Sequence, residues 1–161
     1  MKTISTLLLL AISCVFVHAT DIDRKTFSLS LPEKWTENTN DDMYSPNSLI
    51  FFEGPESTVF AVMIGQKSAG ASVEALINKQ RDTFAAKLTD ATITLITQWS
   101  SLDGRGYKIE GKAQGIAKMS LTIFGFEKGN NVCLITESGT IGDCKTYARD
   151  FDKLRKTFKL K

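Results

Sequence analysis

The chain has 161 residues with 20 Lys+Arg, 18 Asp+Glu, three cysteines and one histidine, enough for one ordinary domain and too few for two. A formal net charge of +2 and 24% charged residues argue against a disordered chain and against a dedicated polyanion binder.

Lys2 precedes an apolar run from Leu7 to Val17, and Val17-His18-Ala19 reads as a small-x-small peptidase site. Residues 1–19 are therefore expected to be a signal peptide, with the mature domain spanning 20–161 and exported. The run is too short to span a bilayer as a stable helix. A second reading remains open: Leu10-Ala11-Ile12-Ser13-Cys14 resembles a loose lipobox, which would anchor a lipoprotein through Cys14. Loss of residues 1–19 removes His18, the only histidine, and leaves two cysteines. Histidine is the usual general base, the usual partner of a nucleophile and the commonest zinc ligand, so the exported domain has none of these uses of it.

Phe27, Leu29 and Leu31 alternate with serines before Pro32, the period of a half-buried strand. Thr36 to Ser48 is rich in Asn, Asp, Thr and Ser and reads as a long surface loop. Leu49–Phe52 and Val59–Ile64 are apolar on both faces and flank a Gly54-Pro55 turn, so they need cover on both sides. Ser72 is a helix N-cap, and Val73, Leu76, Ile77, Phe84 and Leu88 form one apolar stripe. Strands are expected at about Ala91–Trp99, Arg105–Gln114 and Ile116–Phe126, with Asp103-Gly104 as the first turn. In the middle strand Tyr107, Ile109 and Gly111 face one way and Lys108, Glu110 and Lys112 the other. After a turn at Gly129-Asn130-Asn131 comes a last strand, Val132–Thr136, and then a helix from Asp143 to Phe158 carrying Tyr147, Phe151, Leu154 and Phe158 on one stripe. These elements predict an α+β domain: an antiparallel sheet of about six strands with helices on both faces, a three-layer sandwich.

Cys133 and Cys144 are expected to be disulfide-bonded in an oxidising compartment, which would stabilise the fold by about 3 kcal/mol. Without histidine, nucleophilic catalysis would rest on Ser–Lys or on paired carboxylates. Lys67-Ser68 are sequence neighbours with no nucleophile-elbow motif around them, and Asp41-Asp42 with Asn38 and Asn40 match no defined calcium loop. No metal and no cofactor are expected. The basic residues Lys153, Arg155, Lys156, Lys159 and Lys161 complement a helix dipole, and no nucleic-acid motif accompanies them. Trp35, Met43 and Tyr44, at and within the long loop, are the expected partner-facing patch.

The segment Phe27-Ser28-Leu29-Ser30-Leu31-Pro32-Glu33-Lys34-Trp35 resembles the opening of the PsbP-like superfamily, especially its exported DcrB-like bacterial members, and Phe151–Phe158 is similar to their closing helix. The resemblance covers about Phe27 to Leu160. It implies an antiparallel sheet between helices. It also implies a binding protein, since the superfamily includes photosystem extrinsic subunits, a Ran-binding import factor, secretion-effector chaperones and periplasmic lipoproteins that share no catalytic residues. The expectation is a small, monomeric, exported, non-enzymatic binding or adaptor protein acting through a protein partner in the periplasm or cell envelope. A periplasmic inhibitor or immunity protein that inserts a loop into an enzyme's cleft is the alternative, and a Ser–Lys or carboxylate hydrolase the third.

Overall fold

The computed structural model of the chain describes residues 20–67 and 72–161. The signal-peptide reading, Cys14 and Ser68 lie outside the described residues. Within them the order is β1 (Thr20–Asp23), β2 (Phe27–Leu31), β3 (Thr36–Asn38), β4 (Leu49–Glu53), β5 (Val59–Gln66), α1 (Val73–Ala85), β6 (Leu88–Trp99), β7 (Leu102–Ala113), β8 (Ala117–Lys128), β9 (Asn131–Thr140), α2 (Ile141–Thr146), α3 (Ala148–Thr157) and β10 (Lys159–Leu160).

A seven-stranded sheet runs β3-β4-β5-β9-β8-β7-β6, every pairing antiparallel. The last long strand in sequence, β9, therefore sits at the centre, and its run Val132–Ile135 is buried throughout. Leu134 and Ile135 are adjacent and point to opposite faces. Leu134 packs with Ile77 of α1, Ile109 and Ile123. Ile135 belongs to the other cluster, with Phe60, Phe27 and the α3 residues Phe151 and Leu154. Each fully buried Phe, Ile or Leu contributes about 1.5–3 kcal/mol by leaving water, so these two clusters hold α1 to one face and α3 to the other.

Helix α1 starts where expected: the Ser72 hydroxyl accepts from the Ala75 N–H at 3.1 Å. Other elements differ from the sequence reading. The second outer layer is not helical alone, because a small sheet β1-β2-β10 lies beside α3, with β2 packed on that helix. The long loop contributes a short edge strand, β3. The expected helix over Asp143–Phe158 is two helices that meet at Tyr147, whose φ of −98° and ψ of 19° leave the helical range. Asp103 and Gly104 lie inside β7, and the turn falls before them, where Ser100 takes a φ of 58°.

Gly106 on β7 is required by close approach rather than by a turn: a Cβ there would sit 2.0 Å from the Ile123 carbonyl oxygen of β8. Trp99 of β6 packs against Phe124 of β8, with ring centroids 5.5 Å apart.

Candidate functional site

On the sheet face that carries α2 and α3, strand register lines up polar side chains in rows that run out to the edge. Glu137 (β9) pairs with Thr122 (β8), Thr122 with Lys108 (β7), and Lys108 with Thr94 (β6). One row along, Gly139, Ser120, Glu110 and Thr92 repeat the arrangement. Helix α2 packs on β8 and β9, so the β6–β7 side of this face is left as the open side of a wedge. A cavity of about 290 Å³ fills it, with Lys108, Glu110, Ser120, Thr122 and Glu137 on the floor, Cys144, Lys145 and Arg155 on the helical side, and Ile96 and Trp99 at the β6 wall.

The wedge is strongly charged for a partly enclosed space. Arg155 Nη1 donates to Glu137 Oε1 at 2.5 Å, and its guanidinium lies over the Trp99 ring, 4.9 Å from the centroid. Burial pushes the Glu137 carboxyl up to about 7, outweighing the opposing pull of Arg155. Arg155 Nε is buried and has no hydrogen-bond partner among the described residues. Lys108 and Glu110 pair at 2.7 Å, while Lys145 makes no ion pair among the described residues. Burial and the neighbouring carboxylates Glu137 and Asp143 raise the Cys144 thiol to about 11, and Lys108 is near enough to oppose them. At neutral pH that sulfur is a thiol, a poor nucleophile. Fixed charges and hydroxyls in a cleft suit recognition of a polar group, and the described residues offer no imidazole to activate Ser120.

The residues singled out in the sequence are not brought together. Cys133 is buried between Ile64 of β5 and Phe126 of β8. The Cys144 sulfur lies 3.3 Å from where a Cβ on Gly139 would stand, and Gly139 is six residues, about 20 Å, along the same strand from Cys133. The expected disulfide is corrected accordingly: both cysteines are free, because a bond needs Cα atoms within about 7 Å. Trp35 is also corrected. It is only 4% exposed, packs edge-on to Phe151 at 5.2 Å, and its indole Nε1 donates to Asp150 Oδ2 at 3.1 Å. Gly54 is needed beneath it, since a Cβ there would come within 2.4 Å of the indole.

Tyr44 is half-buried against the same cluster as Trp35, its hydroxyl donating to Glu37 Oε1 at 2.8 Å. Met43 is 65% exposed and borders a separate groove on the α1 side with Phe51, Met63 and Leu134. Asp41 turns inward on its own loop, accepting from the Met43 N–H at 2.8 Å, and Lys67 pairs with Glu127 at 2.5 Å. Among the described residues no three His, Cys, Asp or Glu side chains gather as a metal site would need, and no helix is long and apolar enough to cross a membrane.

No protein-family model and no curated protein matches the chain. Solved structures do. The solution structure of cyanobacterial PsbP (CyanoP) from Synechocystis sp. PCC 6803 aligns with a TM-score of 0.57 and 11% identity over 92% of this chain and 98% of its own. The Saccharomyces cerevisiae Ran-binding protein Mog1p gives 0.59 and 5% over 89% and 95%. LpqN of Mycobacterium tuberculosis, involved in cell envelope biogenesis, gives 0.57 and 6% over 89% and 90%. The chain has the PsbP/Mog1 fold. At these identities the likeness concerns the path of the backbone, and it agrees with the fold implied by Phe27–Trp35 and Phe151–Phe158.

Sequence reasoning passed over Glu137, Lys108, Glu110, Arg155 and the edge threonines as functional residues. The only local trace was in β7, where Lys108 and Glu110 alternate on the polar face of a strand that is paired on both sides. Pairing across β6–β9 could not be read from local pattern, so the row stayed hidden.

Proposed function

We propose that this chain is a small, exported, non-enzymatic binding or adaptor protein of the periplasm or cell envelope, allied to the DcrB-like branch of its fold, and that it acts by holding a polypeptide partner in the β6–α2 wedge. One observation carries the reading: a charged cavity runs along strand register to an edge strand whose other side is unpaired among the described residues. Export rests on residues 1–19. The protein-binding neighbour Mog1p supports a partner of the same class. The inhibitor alternative relies on a loop free to insert, whereas residues 41–49 are tied by the Tyr44–Glu37 bond and a Ser45–Leu49 bridge.

A photo-crosslinking amino acid placed at Gln98, exposed on β6, tests this in cells, with Lys159 on β10 as the control position. The expected result is a discrete light-dependent polypeptide adduct from position 98 and none from 159. No adduct from 98, or the same adduct from both, would contradict it.

A further inference from the structure

The outer strand β6 is unusual for an exposed edge. From Ala91 to Gln98 it reads Ala-Thr-Ile-Thr-Leu-Ile-Thr-Gln, with no charge, proline or glycine. Proteins ordinarily blunt such edges with lysine, proline, a bulge or a very short strand. The opposite edge of the same sheet follows that rule, since β3 is three residues long and carries Glu37. On β6 the register shifts fall between Thr89 and Thr92 and between Ile96 and Gln98, leaving an unbroken ladder at Thr92–Ile96. Ile93 and Leu95 pair with Ile109 and Tyr107 on the α1 side and are still 45% and 50% exposed, while the small Thr92 and Thr94 face the wedge.

A strand that covers this edge needs apolar side chains at alternate positions to meet Ile93 and Leu95, with small side chains between them. It needs no charge, because Lys108 and Arg155 in the wedge already have Glu110, Glu137 and Asp152 as counter-ions. The strand β6 has that pattern itself. Laid antiparallel on a second copy about a two-fold axis through Thr94 and normal to the sheet, the ladder matches Thr94 with Thr94, Ile93 with Leu95 and Thr92 with Ile96. Four apolar side chains from the two copies then meet on the α1 side. On the other side the row Glu137–Thr122–Lys108–Thr94 runs on into its symmetry mate. A charge at the axis would face its own copy, and the edge carries none. The helices leave this side of the sheet open, α1 packing chiefly on β7 and β8 and α2 on β8 and β9.

We propose that the polypeptide pairing with β6 is a second copy of this chain, so that two seven-stranded sheets join edge to edge and their wedges lie side by side on one face. This rests on the polypeptide-binding reading above and names the occupant of the edge. The ladder supplies backbone hydrogen bonds, and Ile93 and Leu95 supply the apolar contact. Pairing uses up the edge, so assembly stops at two. One short ladder and four apolar side chains make a contact at the small end of specific interfaces, below about 1,200 Å² of buried surface, so the dimer is weak and concentration-dependent.

Sedimentation equilibrium of the full chain, from about 1 μM to about 1 mM, is expected to show the average mass rising from one chain towards two. An Ile93→Lys/Leu95→Lys double variant sets like charges across the axis on the α1 side, and Thr94→Lys does so on the wedge side; each should hold the protein at one chain mass. All three positions are exposed, and variants on opposite faces keep a folding defect in either from deciding the result. Met43→Lys, at an exposed apolar residue away from β6, should leave the rise unchanged. One chain mass at every concentration, which is the monomer expected from the sequence, a rise that survives both edge variants, or open-ended growth would each overturn the proposal. A photo-crosslinked adduct from position 98 with a mass other than two chains, from protein of one chain mass, would remove the second copy as occupant and leave the polypeptide-binding reading in place.

Discussion

Arg155 and Glu137 form the best-buried ion pair described, 2.5 Å between Nη1 and Oε1 with side chains 14% and 10% exposed. The pair ties α3 to the central strand β9 and forms the inner wall of the wedge. Its geometry is that of a strong contact, yet the carboxyl stays harder to ionise than in water because desolvation costs more than Arg155 returns.

That balance fixes a pH dependence. The Glu137 carboxyl titrates at about 7 in the folded chain against an ordinary 4.5, so the folded state holds its proton more tightly. The associated stability is fully present below pH 4.5 and is lost as pH rises through 7. Glu137→Gln removes the titration. Between pH 4.5 and 7 the wild type should lose on the order of 3 kcal/mol relative to the variant, read as a changing difference in Tm across a pH series. A difference that stays constant would contradict the assignment.

Two free thiols are expected after air oxidation. Cys133 is fully buried with its thiol pushed well up by desolvation, so it should resist a thiol reagent until the chain unfolds, while half-buried Cys144 reacts slowly in the native state. Intact-mass measurement of the protein purified from cells, before and after labelling, checks this and reads the N-terminus in the same spectrum. A mass two hydrogens low with no labelling in denaturant would restore the disulfide.

Trp35 and Met43, neighbours in the sequence reading, should behave as opposites. Trp35→Ala deletes a buried ring and its bond to Asp150, at a cost of about 3–5 kcal/mol in urea unfolding. Met43→Ser alters a side chain mostly in water and should stay within about 0.5 kcal/mol. Similar losses at both positions would show that the loop packs differently.

Gly106→Ala should be among the most damaging single-methyl changes in the chain, because the new Cβ meets a backbone carbonyl and not a side chain that can swing away. A loss of about 2 kcal/mol or more is expected from the forced separation of β7 and β8. A near-neutral result would mean that the two strands are not held at this spacing.

Much of the fold was legible locally. Alternation at Phe27–Leu31, the Ser72 cap and the Phe151/Leu154 stripe each encode an element within a few residues. The strands of β1 and β10 were not legible, since Thr20–Asp23 and Lys159–Leu160 are polar or short and become strands only by pairing with β2. The tandem helices hid behind one continuous stripe. Cys133 and Cys144 misled for a related reason: eleven residues apart in sequence suggests proximity, but the chain from one runs the length of β9 before α2 begins. The candidate site depends on four strands and two helices meeting, so its residues look individually like surface charges.

Binding of a polypeptide in the β6–α2 wedge is tested most directly by titrating isotope-labelled protein with a blocked heptapeptide of alternating threonine and valine and following amide and indole chemical shifts. The largest changes are expected at Thr92–Ile96, Lys108 and the Trp99 indole. Changes centred on residues 41–48, or none at saturating peptide, would contradict it.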